Sequence, residues 1–387
     1  MSRPYQKTRR GCSQCKARKV KCDVRMPSCT NCTRRSKQCS LVSITPVRIF
    51  SRSKSKIEMT TAVLLSPRGP SANLRYFARL FPNMASNDVL DDEIFHHYTT
   101  STYAAIGTNK ALDVWSVKIP QLALEHPFLM HGLLAVAAIH LADINPQRHY
   151  LFVTRALRHK CFALPLFRQL ISEITEQNCH VIFTFSSFVI PYALASLDSS
   201  ESENLIPSAS GRTPNWMSLI RGAHGLLYNN WGWLLNGPFA PLLERTKFPI
   251  DFANNPDDGY LTALLPVFSP PDPISSDDQT ALNICRGAFD ELRRIYALPY
   301  SPCKTVDKKA AATIWPGTIS PAYIQLLRER RPEAIIILAY YCVLVHQVPN
   351  CWYFRGFSEK LLSATCQCLS PGWRTWIDWP LEQLNMK

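Results

Sequence analysis

Six cysteines at Cys12, Cys15, Cys22, Cys29, Cys32 and Cys39 are the strongest constraint on what this 387-residue chain can fold into. Their spacing is Cys-x-x-Cys, six residues, Cys, six residues, and then the same half again. A Cys-x-x-Cys turn presents two thiolates to one ion, and a cysteine six residues later closes the same site after a short helix. Zinc takes four ligands in a tetrahedron, so two half-sites need eight ligand positions. Six cysteines fill eight positions only when two of them bridge both metals. The spacing therefore predicts a compact binuclear thiolate cluster with two zinc ions. A disulfide knot needs an oxidising compartment, and the opening Met-Ser-Arg-Pro-Tyr-Gln-Lys carries no apolar leader. A redox Cys-x-x-Cys follows a strand in a βαβ unit, and no such pattern surrounds this one.

The charge of the chain is +14. Residues 1–60 hold sixteen Lys and Arg against only Asp23 and Glu58, and the remainder of the chain is balanced. A basic surplus concentrated on a metal-ordered scaffold points to a polyanionic partner bound through its phosphates. The same block, Lys7, Arg9 and Arg10 followed by Arg18, Lys19 and Lys21, reads as a nuclear import signal. The stretch Lys16 to Lys21 lacks Gly and Pro and is expected to form a helix of a turn or two. A major groove admits such a helix, and Lys and Arg bond well to guanine O6 and N7.

The run from Cys12 through Ser13, Gln14, Cys15, Lys16, Ala17, Arg18, Lys19, Val20, Lys21 and Cys22 to Asp23, with Pro27 ahead of Cys29, resembles the fungal binuclear zinc cluster family of transcription regulators. The resemblance implies that Cys12 and Cys29 bridge the two metals. It also implies that a CGG triplet in double-stranded DNA is read from the end of the short helix. Lys19 then makes the main base contact, with Arg18 beside it. Lys16, Lys21, Arg34, Arg35 and Lys37 fall to phosphates, as do Arg9 and Arg10 upstream. Many members of the family pair through a coiled coil behind the cluster. Here Leu41 to Thr61 holds Pro46 and a Ser-Arg-Ser-Lys-Ser-Lys run with no heptads, so a homodimer would form through the rest of the chain.

The expected organisation is a zinc cluster domain at 1–40, with the cluster at 12–39, a flexible basic linker at 41–85, and a helical regulatory domain at 86–387. The fold class is mainly α: a small N-terminal binuclear zinc cluster domain plus a larger all-helical regulatory domain. Asn87 or Asp91 would cap its first helix, through Ile94, Phe95 and Tyr98. Phe128 to Ala142 is apolar on every face but short of a membrane span, and reads as a buried central helix with Pro127 at its start. Ala334 to Val345 reads as a second one. Asn215 to Leu235 and Trp373 to Trp379 read as aromatic-rich helices, the latter with Trp373, Trp376 and Trp379 packed on one face. Asp198 to Pro214 and Asp251 to Asp278 read as loops, and the acidic second one could meet the transcription machinery.

A second resemblance covers roughly residues 91–382. The segments Phe95-His96-His97-Tyr98-Thr99-Thr100, Ile119-Pro120-Gln121-Leu122-Ala123, His126-Pro127-Phe128-Leu129-Met130-His131-Gly132, Trp352-Tyr353 and Trp379-Pro380-Leu381-Glu382 are similar to the regulatory domain of sterol uptake control proteins. This implies an all-helical domain, a dimer surface, and a pocket for an apolar effector such as a sterol. No pocket residue follows from it. His96 and His97 read as structural groups, Cys366 and Cys368 lack two further ligands nearby, and the eight cysteines outside the cluster read as reduced core thiols. No Gly-x-Ser-x-Gly, phosphate loop or His-Glu-x-x-His occurs, so an enzyme is not expected. The expected function is a nuclear, DNA-binding regulator of a metabolic or biosynthetic gene set. The competing reading is a non-catalytic ligand-binding or scaffold protein held on chromatin by its basic head.

Overall fold

A computed structural model describes residues 13–23, 29–35, 89–107, 112–196, 205–243, 250–270, 275–301, 306–348 and 350–386. The chain divides into two compact units, Met1–Val63 and Leu64–Lys387. In the first unit the described secondary structure is two short helices, α1 (Ser13–Ala17) and α2 (Thr30–Thr33). Helices this short are unstable in water by themselves, so something other than propensity must hold them. Among the described residues, the buried core of this unit is a cluster of four cysteines, Cys15, Cys22, Cys29 and Cys32. The expected linker at 41–85 lies outside the described residues.

The second unit is helical, with no strand among the described residues. It opens with α3 (Val89–His97), which continues through a π-helical turn, Tyr98–Thr102, into Tyr103–Ile106. Asp91 lies inside this helix and is not its cap; its carboxylate is used elsewhere. Asn87 lies outside the described residues. Next come α4 (Pro127–Ile144), α5 (His149–Leu170), α6 (Cys179–Ala195) and α7 (Asn215–Asn229). They are followed by α8 (Ser276–Ala297), α9 (Lys308–Thr318), α10 (Pro332–His346) and α11 (Phe357–Cys368).

The two helices that are apolar on every face organise the core. Pro127 and Pro332 stand in the first turn of α4 and α10, where a missing N–H costs nothing. By length and composition α4 could cross a membrane, but 78% of it is buried inside the protein. It packs on α3, α5 and α6. Gly132 allows the approach of α6, because a Cβ there would stand 2.7 Å from the Phe185 ring. In the other half, α10 packs on α8, α9 and α11. The halves are joined through α6 on α7 and α7 on α9. Side-chain caps fix the starts of α8 and α9: Ser275 accepts from the Asp278 N–H at 3.1 Å, and Asp307 from the Ala310 N–H at 2.8 Å.

Several expectations need correction. Asn215 to Leu235 is two helices, because the chain turns at Asn230 before Trp231–Leu235. Asp251 to Asp278 is not a plain loop: it holds 3-10 turns at Phe252–Asn254 and Leu265–Phe268, a helix at Asp258–Thr262, and the start of α8. Trp373 to Trp379 is not one helix but Pro371–Arg374, a 3-10 turn Thr375–Ile377, and Asp378–Gln383. Its tryptophans still pack against the core. No disulfide joins the described cysteines, but Cys161 is exposed and so is not a core thiol.

A buried polar chain ties α3, α4 and α5 together. Asp91 accepts from Arg155 Nε at 2.6 Å and from His159 Nε2 at 2.9 Å. The other nitrogen of His159 meets His131 Nδ1 at 2.8 Å. Burial alone would raise the Asp91 carboxyl, but the hydrogen bonds and charges of His159 and Arg155 outweigh it and hold it far below its ordinary 3.8. On α4, His140 meets His97 Nε2 at 3.2 Å and Thr102 Oγ1 at 3.0 Å, so it fastens both ends of the π turn. Burial pushes His131 down to about 3 and His140 down to about 4, from an ordinary 6.5.

These histidines give the helical unit a predictable response to acid. An imidazole that is neutral when folded and protonated when unfolded destabilises the fold between its two pKa values, so stability falls as pH drops from about 6.5 towards 4. The Asp91 contribution is lost only below its ordinary 3.8, outside that window. Thermal unfolding followed by near-ultraviolet circular dichroism should show a lower midpoint at pH 5 than at pH 7.5. His131→Gln should flatten that dependence by about 1–2 kcal/mol. An unchanged pH slope in this variant would contradict the assignment.

Candidate metal centre and nucleic-acid interface

In the N-terminal unit the described thiols converge. The sulfur atoms of Cys15, Cys29 and Cys32 lie within 4.8 Å of one another. A second group, also within 4.8 Å, brings together Cys22, an Asp23 oxygen and the same Cys29. Cys29 is therefore common to both. The Cys15 and Cys29 sulfurs are 3.6 Å apart. Two thiolates on one tetrahedral zinc, each at ~2.3 Å, stand ~3.8 Å from each other. The separation is far longer than an S–S bond and close to that value. The donor set thus fits thiolate-bound zinc, and all four described cysteines are almost completely buried. When bound, zinc supplies the cross-link that an apolar core supplies elsewhere. Cys12 and Cys39 lie outside the described residues.

The backbone around the thiols is set by one motif the sequence did not signal. The helix expected over Lys16 to Lys21 instead runs Ser13–Ala17. It ends in a Schellman arrangement: the Val20 N–H bonds back to the Cys15 carbonyl at 3.1 Å, and the Lys19 N–H to the Lys16 carbonyl at 3.1 Å. This places Lys19 at the left-handed position, with φ of 55°. Glycine usually occupies that place, and a residue with a Cβ costs about 1–2 kcal/mol there. No Gly or Asn marks the stop, which is why the sequence reads as a longer helix. Lys19 is exposed just past the helix end, and Val20 beside it is 40% exposed.

The other basic residues divide by position. Arg18 is turned back on the cluster: Nε donates to the Gln14 carbonyl at 3.2 Å, and Nη2 lies 3.9 Å from the Cys15 sulfur. A guanidinium there faces thiolate charge. Lys16, Lys21, Arg34 and Arg35 are exposed. Arg9, Arg10 and Lys37 lie outside the described residues.

Sequence reasoning also missed the join between the two halves. Asp23 accepts from the Thr30 N–H at 3.1 Å and from the Thr30 hydroxyl, so it caps α2 from outside that helix. Asn31 Nδ2 donates to the Lys21 carbonyl at 2.8 Å. Each half of the repeat thereby fixes the other. The available signal was an acidic residue directly after the third cysteine, and its partner seven residues on is not readable from spacing.

Because Cys29 belongs to both thiol groups, Cys29→Ala should lower the zinc content of the full chain more than Cys22→Ala does. Native mass spectrometry counts the bound ions. Equal loss in the two variants would contradict a shared Cys29. Asp23→Ala should weaken zinc retention by about 0.5–2 kcal/mol, the usual worth of a helix cap, in competition with a chelator.

Comparison with known proteins agrees with this geometry. Residues 10–47 match the fungal Zn(2)-Cys(6) binuclear cluster domain, and residues 93–244 match the fungal specific transcription factor domain. The chain is similar to the Zn(2)-C6 fungal-type transcription factor afumD of Aspergillus fumigatus, at 26% identity over 86% of this chain and 83% of that protein. It is similar to a Zn(2)-C6 fungal-type transcription factor of Gibberella zeae, at 23% identity over 98% of this chain and 86% of that one. Sterol uptake control protein 2 of Saccharomyces cerevisiae is 30% identical over 46% of this chain, which is 19% of that protein's length. A Zn(2)-Cys(6) cluster domain for two zinc ions thus stands ahead of a match to the fungal specific transcription factor domain, and the function these matches support is DNA-binding transcription regulation.

Proposed function

We propose that this regulator acts in the nucleus and reads CGG-type triplets in double-stranded DNA. The observation that carries the reading is Lys19, held exposed in a strained left-handed conformation beside the thiol groups that share Cys29. Strain retained next to a binding surface is commonly tied to use of that residue. In this reading Cys12, Cys15, Cys22, Cys29, Cys32 and Cys39 hold the two zinc ions, with Cys12 and Cys29 bridging. Lys19 meets a base edge with Arg18 beside it. Lys16, Lys21, Arg34 and Arg35, with Arg9, Arg10 and Lys37, bind phosphates and set register without reading sequence.

The working division is a DNA-binding domain at 1–40, a basic linker at 41–85 and a regulatory domain at 86–387. One triplet gives a small interface, so two copies act together, paired through the helical domain. The helical domain responds to an apolar effector and passes the signal to the transcription machinery. The gene set is metabolic or biosynthetic, sterol-related or devoted to a secondary metabolite. Similarity to sterol uptake control protein 2 supports the first. The protein works by binding and not by catalysis.

In vitro selection of DNA sites by the full zinc-loaded chain should enrich CGG triplets. No enrichment would sink the reading and leave a scaffold held on chromatin by its basic head. Lys19→Ala should lose preference for the selected site by roughly 1–3 kcal/mol. A loss equal on all sequences would make Lys19 a phosphate contact instead.

A further inference from the structure

Arg18 differs from every other described cation of the N-terminal unit. Lys16, Lys19, Lys21, Arg34 and Arg35 are exposed, and Arg18 alone is half-buried. Its immediate neighbours, Ala17 and Lys19, are both exposed, so the burial comes from where the side chain goes. Arg18 follows Gln14 by four residues and Cys15 by three, the spacings that share one face of a helix. Helical side chains lean towards the N-terminus, so an arginine one turn past Cys15 lies back over it.

Two atoms of the guanidinium have separate targets. Nε donates to the Gln14 carbonyl at 3.2 Å, which also accepts from the Arg18 backbone N–H at 3.3 Å. A carbonyl oxygen has a lone pair for each. Nη2 lies 3.9 Å from the sulfur of Cys15, a member of the thiol group that includes Cys29 and Cys32. Zinc takes cysteine as thiolate, and six thiolates outweigh two divalent ions, so the loaded cluster is anionic. A buried anion is costly unless it is paired. A guanidinium is always charged, is weakly hydrated, and presents its donors in a rigid fork, which suits it to that place.

We propose that Arg18 is a positioning residue of the zinc cluster and not a reader of bases. Its fork bridges the Gln14 carbonyl and the Cys15 sulfur, offsets charge on that thiolate when zinc is bound, and clamps the end of α1. Lys19, one residue on, is then turned outward by its left-handed backbone from a fixed place. Adjacent cations thus take separate tasks: Arg18 holds the metal site and Lys19 meets DNA. The first task stands on the zinc site alone; the second rests on the reading of Lys19 as the base contact, which it narrows to that one residue.

The test uses the full chain. Arg18→Met keeps an unbranched stem without charge or donors, and Arg18→Lys keeps the charge without the fork. Zinc affinity is read by competition with a chelator. The sulfur-to-metal charge-transfer band is read after zinc is exchanged for cobalt(II). Arg18→Met should weaken zinc binding about tenfold, the usual effect of losing a group that supports a ligand. It should also move the cobalt band to lower energy, because a cation beside a thiolate holds its electrons more tightly. Arg18→Lys should show a smaller loss and a smaller shift, since one ammonium cannot reach both acceptors. Zinc-loaded Arg18→Lys should keep the wild-type preference for a selected DNA site over a scrambled one, a preference that Lys19→Ala loses. Unchanged zinc affinity or an unmoved band in Arg18→Met would overturn the positioning role. Wild-type zinc affinity in Arg18→Lys would overturn the two-point bridge, and loss of site preference in zinc-loaded Arg18→Lys would make Arg18 a base contact after all. If the wild-type chain prefers no site, the reading of Lys19 fails, and the zinc and cobalt measurements still decide the role of Arg18.

Discussion

The convergence of thiols on Cys29 is the interaction on which the N-terminal unit depends. A head of this size cannot bury enough apolar surface to offset the entropy of ordering its backbone. Its described core consists of Cys15, Cys22, Cys29 and Cys32 alone. Metal binding is then folding, and the two short helices exist because their cysteines are anchored. Everything proposed for DNA recognition follows from that anchoring. The same closure ends α1 at Ala17, turns Lys19 outward and leaves a fringe of exposed cations around a buried cluster.

The second unit is stabilised on the opposite principle. There α4 and α10 are apolar on all faces, and other helices wrap them. Polar groups enter this core in linked sets, such as Asp91 with Arg155, His159 and His131. A unit packed around its own apolar helices is expected to keep its fold when zinc is withdrawn.

Much of this was legible in the chain, and the rest was not for identifiable reasons. Ligand spacing is local chemistry, so the six cysteines announce a binuclear site by their intervals alone. All-apolar runs such as 128–142 announce buried helices in the same way. Lys19 was legible as a basic residue at the right place but not as a left-handed one, because a lysine carries no backbone signal of the kind glycine does. Asp23 on Thr30 was hidden because the contact spans the turn between halves. The stretch 251–278 looked like a loop from its Pro and Asp content, yet those residues start and stop short helices there, and Ser275 caps α8.

Thiolate-bound zinc, on this physical picture, holds the fold of the N-terminal head, while the helical unit is held by its own apolar core. This division is tested most directly by titrating the full chain with a zinc chelator while recording DNA binding and near-ultraviolet circular dichroism together. DNA binding should disappear as two zinc ions are withdrawn and return when zinc is restored, while the aromatic signal of the helical unit stays unchanged. Sequence-selective DNA binding that persists in the metal-free chain would contradict it.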